Sequence, residues 1–286
     1  MNNKIVIWVV VAVVVIGGVL LLLSGNNKSA SEQGPIKLGV ISPLSGEAAS
    51  YGESARAGAL LAQKEINDAG GVNGRTIELV FEDDTCSPAG VSAMQKLVNV
   101  DNVDAIIGPV CSAVAGAAIP IARSAEKPLI LIGASAPGLA GGPDSIFSTY
   151  PSDAFQGKFA AEYIYNTLGK RKVAVLYVNN DWGTGIRGVF VERFKALGGQ
   201  VVFDEGVAQD VKDMRTQVGK IKSATPDIVY MPLYPAGGIV AIKQLKEANV
   251  AVPFFGGDAF LGDEIVKAGV SEGVMYSAAK VGNADE

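Results

Sequence analysis

The sequence contains no histidine and only two cysteines, Cys86 and Cys111, among 286 residues. Without histidine there is no Ser–His or Cys–His catalytic pair, no imidazole general base and no typical zinc site. Basic residues are also outnumbered, since 24 Lys and Arg against 29 Asp and Glu give a net charge of −5, and no basic patch predicts a nucleic-acid partner. We therefore expect no catalytic residue, metal or cofactor.

The two cysteines both lie at the ends of segments in the first half of the chain. In an exported protein an even pair predicts a disulfide, and two unlinked buried thiols are the alternative. A bond closing a loop of this size would contribute roughly 3 to 4 kcal/mol in the chain-entropy model.

Residues 1–28 differ in character from the rest of the chain. An uncharged apolar run extends from Ile5 to Leu23, long enough to span a bilayer. A cleaved signal peptide would have a shorter apolar region and a small-x-small cleavage site. We therefore expect 1–28 to be an uncleaved transmembrane helix that anchors an extracytoplasmic protein, with a cleaved export signal as the alternative. A polar linker over 29–35 follows.

From Ile36 onward, short apolar runs alternate with helix-like segments. This spacing predicts parallel sheets with helices on both faces. The pattern restarts after the segment 150–153, so we predict two doubly wound α/β domains, 36–152 and 153–280, joined by a hinge. Residues 281–286 would begin a return crossing to the first domain.

Two helices in this pattern carry specific expectations. The first is predicted from about Gly52 to Ala69, with a packing face described by 3.6-residue spacing. That face comprises Ala55, Ala59, Ala62 and Ile66. Another helix is predicted from Ile186 to Leu197, after a Gly-rich loop that contains Trp182.

The segment from Asp104 to Gly138 is the most informative part of the sequence. Apolar strands at 105–107 and 129–132 enclose a small-residue helix that begins near Ser112, and the second strand is followed by Ser135. Ligands of parallel sheets bind beyond the carboxyl ends of the strands, so both hydroxyls are expected at one edge. Because Ser112 also begins a helix, free N–H groups and the helix dipole there favour an anion. For each serine alone, an ordinary cap or turn residue is the alternative.

Three other motifs superficially indicate catalysis or cofactor binding. Residues 183–188 match G-x-G-x-x-G and precede Asp204, but four residues separate the strand from the first glycine, which does not suit a dinucleotide turn. The segment 133–137 lacks the second glycine of a nucleophile elbow. The pair Asp83 and Asp84 has no second cluster to complete a metal site, which favours a capping or ion-pairing role in a surface loop.

Seven segments between residues 36 and 260 share their order and spacing with one protein family. They begin with IKLGVISPLSGEAASYGESARAGALLAQKEINDAGGVNGRTIELVFEDDTCSP and continue with IIGPVCSA, IGASAPGL, YPSDAFQG, NNDWGTGI, DIVYMPLYPAGG and FFGGDAF. In these segments the chain resembles the substrate-binding proteins of branched-chain amino acid ABC transporters, the leucine/isoleucine/valine-binding proteins of the type I periplasmic binding fold. The family pattern also pairs cysteines at the positions of Cys86 and Cys111.

The resemblance implies a ligand site for a zwitterion. Ser112, nearby backbone N–H groups and Ser135 would hold the ligand carboxylate. The Gly133 carbonyl, the Ser135 hydroxyl and Asp258 would hold its ammonium group; many relatives have Glu at the last position, so the geometry and ligand size are expected to differ here. The full set of implied ligand-binding residues is Tyr51, Ser112, Gly133, Ala134, Ser135, Asp153, Trp182, Tyr234 and Asp258.

The resemblance also implies a function. An extracytoplasmic protein of this kind captures a branched-chain or other apolar amino acid in a hinged cleft and delivers it to the membrane permease of an ABC importer. A ligand-sensing ectodomain or an amide-responsive regulator on the same fold is the alternative, and an enzyme is a third possibility. Members of the family continue beyond this point and complete the first domain, so we expect that domain to lack its return segment here.

Overall fold

The structure, a computed structural model, describes residues 34–46, 48–141 and 145–280. Within these ranges no helix combines the length and apolar character that a membrane span needs. The anchor predicted over 1–28 lies outside the described residues, as do most of the linker and residues 281–286.

The first half of the chain builds a five-stranded sheet with the order β2-β1-β3-β4-β5. Its strands and helices are, in chain order, β1 (Ile36–Ser42), α1 (Ala49–Asp68), β2 (Ile77–Asp83), α2 (Val91–Asn99), β3 (Ala105–Ile107), α3 (Ser112–Ser124), β4 (Leu129–Leu131) and β5 (Ile146–Ser148), with a 3-10 turn at Pro88–Gly90 before α2. The pairs β1–β3, β3–β4 and β4–β5 are parallel. At the end of β3, Gly108 has a φ of +108°, and a Cβ there would lie 1.9 Å from the Ile41 carbonyl oxygen, so this close approach requires glycine.

The second half builds another five-stranded sheet with the order β10-β9-β8-β6-β7, and all its pairs are parallel. Its elements are α4 (Asp153–Glu162), β6 (Lys172–Val178), α5 (Asp181–Ala196), β7 (Gln200–Val207), α6 (Arg215–Ala224), β8 (Ile228–Met231), α7 (Pro235–Glu247), β9 (Phe254–Gly256), α8 (Glu264–Lys267) and β10 (Val274–Tyr276), with a π-helical turn at Tyr163–Thr167 and a 3-10 turn at Asp258–Leu261. The two parallel α/β sheets confirm the predicted fold class.

The two sheets differ in how their faces are covered. The second sheet has a buried cluster on each side, one around Leu176 and Val229 and the other around Phe190 and Tyr230. The first sheet buries Leu129 and its neighbours in one cluster. On β4 and β5, however, Ile130 and Phe147 are 37% and 58% exposed. The prediction of covered faces therefore holds for the second sheet, whereas the described residues leave part of the first sheet open to solvent.

The predicted packing face of α1 is wrong in its second half. Ala55 and Ala59 are half-buried as expected, but Ala62 and Ile66 are exposed. The half-buried positions that continue the face are polar. Polar side chains can be retained there because they hydrogen-bond the backbone.

By its internal contacts the described chain divides into two compact units. The smaller comprises the residues up to Ile36 together with Leu61–Glu78, and the larger comprises Lys37–Leu60 together with the residues from Leu79 onward.

The smaller unit contains the end of α1 and the start of β2. Gln63 and Asn67 donate to the Ile77 carbonyl at 3.0 and 2.9 Å, and the Ile77 N–H donates to the Asn67 side-chain oxygen at 2.7 Å. These are the polar positions that replace the predicted apolar face.

Candidate functional site

A cavity of about 500 Å³ lies within the larger unit, at the carboxyl ends of strands from both sheets. We call it the cleft. Ser112 follows β3, Gly133 and Ser135 follow β4, and Asp258 follows β9, as expected for ligand sites of parallel sheets. The cleft is lined by Tyr51, Ser54, Ala55, Val110, Cys111, Ser112, Ile132, Gly133, Ser135, Tyr150, Trp182, Tyr234, Asp258, Ala259, Leu261 and Gly262.

One end of the cleft is organised by the Ser112 side chain. Ser112 is the first residue of α3, and its hydroxyl oxygen accepts hydrogen bonds from the backbone N–H groups of Ser135 and Ala136, both at 3.1 Å. A serine oxygen has two acceptor lone pairs and one hydrogen. With both lone pairs engaged, the hydroxyl hydrogen remains as a donor beside the start of α3, where the first N–H groups have no partner inside the helix. This end of the cleft therefore suits an anion.

Two carboxyl groups lie at a second part of the site, which we call the cation end of the cleft. Asp258 lines the cleft, and Asp153, which is 1% exposed, lies directly behind Ser135. The Ser135 hydroxyl donates to Asp153 at 3.0 Å, while the Asp153 N–H donates to the Ser135 carbonyl at 2.8 Å. Among the described residues, neither Asp153 Oδ1 nor Asp258 Oδ1 has a hydrogen-bond partner, although both atoms are buried. Buried carboxylate oxygens without donors favour a cation.

Burial governs the ionisation of both carboxyl groups. The pKa of Asp153 is raised to about 8, first because the group is buried and second because Asp258 is close, while the Ser135 hydroxyl opposes the rise. Burial likewise raises the pKa of Asp258, and polar interactions with Tyr150 and Gln156 oppose that effect. Like charges in a buried site disfavour ionisation of both groups together.

Aromatic side chains form the apolar wall of the cleft. Trp182 and Tyr234 are stacked, with their ring centroids 5.0 Å apart and an interplanar angle of 20°. The Tyr51 hydroxyl donates to the Ala259 carbonyl at 3.1 Å. Burial raises the pKa of Tyr234 to about 12 and that of Tyr51 further, so both are neutral near pH 7. An apolar wall in a cavity that also contains an anion site and a cation site is suited to the side chain of a small zwitterion.

Cys86 and Cys111 form a disulfide, with their Cα atoms 5.4 Å apart. The bond confirms the predicted pairing. Because Cys111 precedes the first residue of α3, the disulfide fixes the chain next to Ser112. The Cys86 sulfur also lies 3.9 Å from the Tyr234 hydroxyl. The disulfide therefore supports the anion end and the aromatic wall, and Cys111 itself lines the cleft.

Comparison with known proteins agrees with this geometry. Residues 35–285 match the family described as periplasmic binding protein. The chain belongs to this family of solute-binding proteins.

Two relatives illustrate the similarity. A leucine-, isoleucine-, valine-, threonine- and alanine-binding protein of Pseudomonas aeruginosa is 34% identical over 84% of this chain, and the chain spans 65% of that protein's length. The branched-chain amino acid transporter substrate-binding protein of Streptococcus pneumoniae, solved in complex with isoleucine, is 32% identical with a TM-score of 0.78. That similarity covers 87% of this chain and 74% of the other.

A third similar protein has a different ligand. The solute-binding protein of an ABC transporter from R. palustris, solved in complex with benzoate, is 28% identical with a TM-score of 0.73, over 82% of this chain and 66% of that one.

Most of the residues that the sequence singled out come together in this periplasmic binding protein. Seven of the nine line the cleft, namely Tyr51, Ser112, Gly133, Ser135, Trp182, Tyr234 and Asp258. Ala134 and Asp153 do not line it, and Asp153 lies behind Ser135, whose hydroxyl it accepts. The roles of all nine in ligand binding remain predictions.

Sequence reasoning missed several lining residues, above all Tyr150. This residue belongs to the YPSDAFQG segment, in which the resemblance implies a ligand-binding role for Asp153 alone. The apolar lining residues Val110, Ile132 and Leu261 carried no comparable signal, because short apolar stretches look alike whether they line a cleft or a core.

The glycine motif at 183–188 lies inside a helix and not in the loop that the sequence predicts. Helix α5 begins at Asp181, so Trp182 and all three glycines are helical, and the predicted Gly-rich loop before Ile186 is wrong. Asn180 starts the helix early because its side chain accepts a hydrogen bond from Gly183 N–H at 3.0 Å. A Cβ at Gly183 would lie 2.0 Å from the Val178 carbonyl oxygen, so the first glycine is needed for helix packing.

The pair Asp83 and Asp84 also divides into two different roles. Asp83 accepts hydrogen bonds from the N–H groups of Leu44 and Thr85, both at 2.9 Å, which confirms a loop-capping role. Asp84 is fully buried, so the surface position predicted for it is wrong. Its Oδ1 accepts from Cys86 N–H at 2.8 Å, next to the disulfide.

Proposed function

We propose that this periplasmic binding protein captures an amino acid with an apolar side chain and delivers it to the membrane permease of an ABC importer. The observation that carries the proposal is that one cavity combines donors around Ser112, the acceptor Asp258 with its buried Oδ1, and an aromatic wall. Binding of this kind makes and breaks no covalent bond.

Each charged group of an amino acid has a complementary set of atoms in the proposed mode. The ligand carboxylate accepts from the Ser112 hydroxyl and from N–H groups at the start of α3. The ligand ammonium donates to the Gly133 carbonyl, the Ser135 hydroxyl oxygen and Asp258. Hydrogen bonds between charged partners are short and strong, and they strengthen further where water is excluded.

The side chain of the ligand would lie against Trp182, Tyr234 and Tyr51, which form an apolar wall of the cleft. Named relatives that bind leucine, isoleucine, valine, threonine and alanine support this size range. Among these, leucine is our first choice of test ligand.

An aromatic acid such as benzoate is the second candidate, favoured by the benzoate complex of a similar protein. Benzoate has a carboxylate but no cationic group. It would leave Asp258 Oδ1 buried without a donor, a penalty of roughly 1 to 3 kcal/mol. Asp258 therefore favours an amino acid.

The proposed domain closure, partner and location are those that the family resemblance implies. Domains over 36–152 and 153–280 would close around the ligand by a hinge at 150–153 and present the closed form to the permease. The protein would act outside the cytoplasm, held at the membrane by the apolar segment 1–28 or exported by it. Transport-linked binding proteins among the relatives support this role over a sensory one.

The proposal is tested by thermal unfolding of the full chain with a panel of amino acids, aromatic acids and amides. Leucine at about 1,000 times its Kd is expected to add about 4 kcal/mol to the stability. Asp258→Ala is expected to abolish the shift, whereas the exposed Asp263→Ala is the matched control and should preserve it. A shift with benzoate or amides but with no amino acid would overturn the proposed ligand.

A further inference from the structure

The cation end of the cleft contains one more carboxyl group than a single ammonium requires. Asp258 faces the cleft, and Asp153 lies behind Ser135 with its Oδ2 accepting the Ser135 hydroxyl. Each has a buried Oδ1 without a hydrogen-bond partner among the described residues. The Tyr230 hydroxyl, which extends from β8, is a third buried polar atom without one.

No cation among the described residues compensates these two groups. Four titratable side chains lie close enough to Asp153 to interact with it electrostatically, namely Asp258, Tyr150, Tyr230 and Tyr234. Lys280 lines a neighbouring groove with Tyr150 and Gln156, but its side chain is exposed and it does not line the cleft.

The neighbouring tyrosines cannot compensate the negative charge of two ionised carboxyl groups. Burial raises the pKa of Tyr150, Tyr230 and Tyr234, so all three are neutral and uncharged near pH 7. Two ionised carboxyl groups would then share a buried site with no positive charge, which is unfavourable because the repulsion adds to the loss of hydration.

We infer that Asp153 holds a proton while the cleft is empty and that the ammonium group of the incoming ligand displaces it. The inference rests on the proposed function, and it makes Asp153 a specificity-determining residue. A cationic ligand exchanges its own charge for the proton, whereas a neutral or anionic ligand leaves the proton in place and gains nothing from Asp153. The balance is one proton released to solvent for each ammonium bound.

Competing effects determine which of the two carboxyl groups keeps the proton. Asp153 begins α4, where the helix dipole and the Ser135 hydroxyl both favour the ionised form. Burial and the charge of Asp258 outweigh them, since the pKa of Asp153 is still raised to about 8. Burial raises the pKa of Asp258 as well, but Asp258 borders the cleft and its hydrogen bonds with Tyr150 and Gln156 oppose that rise, so we assign the proton to Asp153 and the charge to Asp258.

The proton itself is measured first, in the full chain without ligand. Aspartate carboxyl ¹³C resonances are followed between about pH 5 and pH 9, and the Asp153 signal is the one missing from Asp153→Asn. It is expected to titrate near pH 8. In Asp258→Asn it should titrate at lower pH, because the neighbouring charge is gone. An Asp153 carboxyl that is ionised at about pH 6 in the native protein overturns the inference.

The exchange is measured by titration calorimetry with L-leucine in buffers of different ionisation enthalpy. At about pH 7 nearly one proton per leucine should be released, and the affinity should rise almost tenfold per pH unit between about pH 6 and pH 7. Asp153→Asn should bind leucine with no proton release, and Asp263→Asn should behave like the native chain.

The outcomes separate the two proposals. Leucine binding without proton release in the native chain overturns the exchange and leaves the proposed function intact. If no amino acid binds, the proposed function fails and the exchange fails with it, whatever the ¹³C titration gives.

Discussion

A single hydroxyl group organises the anion end of the cleft. Ser112 begins α3 and also accepts two N–H groups from the chain after β4. The same oxygen therefore joins two strand ends and orients a donor toward the cleft. One residue contributes both to the stability of the fold and to binding, and the two contributions can be separated by experiment.

Ser112→Ala is predicted to reduce both stability and affinity. It would leave the Ser135 and Ala136 N–H groups buried without an acceptor, at a cost of roughly 1 to 3 kcal/mol. Chemical denaturation measures the loss of stability, and calorimetry measures the leucine affinity. Ser223→Ala is the control, because that hydroxyl is exposed and bonds only within α6. Equal effects of the two substitutions would contradict the role of Ser112.

Asp84 predicts a pH-dependent stability that does not involve the cleft. Burial raises its pKa to about 6 from an ordinary value of 3.8. The folded state therefore holds the proton more tightly than the unfolded state, so this contribution to stability is present below about pH 4 and is lost as the pH rises through about 6.

Asp84→Asn should accordingly gain stability relative to the native protein between about pH 4 and pH 7. The difference is expected to change by roughly 3 kcal/mol, corresponding to a shift of about two pKa units. Denaturant unfolding across this pH range measures it. The exposed Glu272→Gln is the control and should show a far smaller change; a pH-independent difference for Asp84→Asn would refute the prediction.

At the scale of elements, glycines of one motif have unequal roles in α5. A Cβ at Gly183 would lie 2.0 Å from a backbone oxygen of β6, whereas a Cβ at Gly188 would have no neighbour within 4 Å. The three-glycine spacing therefore does not describe one functional unit. It combines a packing requirement at the helix start with a half-buried interior position that has room for a Cβ.

Gly183→Ala is predicted to destabilise the protein and Gly188→Ala to stabilise it slightly. The first change requires the helix to move away from the Val178 carbonyl, and more than about 2 kcal/mol is expected. The second gains up to about 1 kcal/mol from helix propensity. Thermal unfolding measures both variants, and each serves as the control for the other. Similar melting temperatures would contradict the unequal roles of the two glycines.

The disulfide joins the loop after β2 to the start of α3. Its loss in Cys86→Ser/Cys111→Ser is predicted to cost roughly 3 to 4 kcal/mol, because a cross-link over 25 residues restricts the unfolded chain. Denaturant unfolding of the variant should match that of the native protein under reducing conditions. A native protein that is insensitive to reductant and as stable as the variant would contradict the prediction.

At the scale of the whole molecule, the cleft joins residues that are far apart in the chain. Tyr51 in α1 donates to Ala259, 208 residues later. The Ser50 hydroxyl donates to Glu264 at 3.4 Å in the same region. These contacts connect opposite walls of the cleft, and we expect them to keep a bound ligand enclosed.

Tyr51→Phe is predicted to speed ligand release. Removing one hydrogen bond of about 1 kcal/mol should raise the leucine Kd roughly fivefold, mostly through the dissociation rate. Stopped-flow fluorescence with Trp182 as the reporter measures that rate. Tyr276→Phe is the control, since Tyr276 is 44% exposed outside the cleft, and an unchanged dissociation rate in Tyr51→Phe would overturn the prediction.

Local sequence determined where strands end and helices begin in the segment from Asp104 to Gly138. Apolar runs that stop at Gly108 and Gly133 are dictated by burial and backbone freedom, which are properties of neighbouring residues. Two such strand ends in one parallel sheet must bring Ser112 and Ser135 together. The predicted disulfide agrees with the structure, and seven of the nine proposed site residues line one cavity, although their roles in binding stay predictions.

Tertiary structure alone decided the charge environment of the cleft. Asp84 and Asp153 look like ordinary acidic residues in the sequence, yet both are buried, and the neighbour that matters most to Asp153 is Asp258, more than a hundred residues away. The polar face of α1 likewise depends on its bonds to Ile77. Hydration and electrostatic repulsion depend on distance through space, which no local pattern specifies.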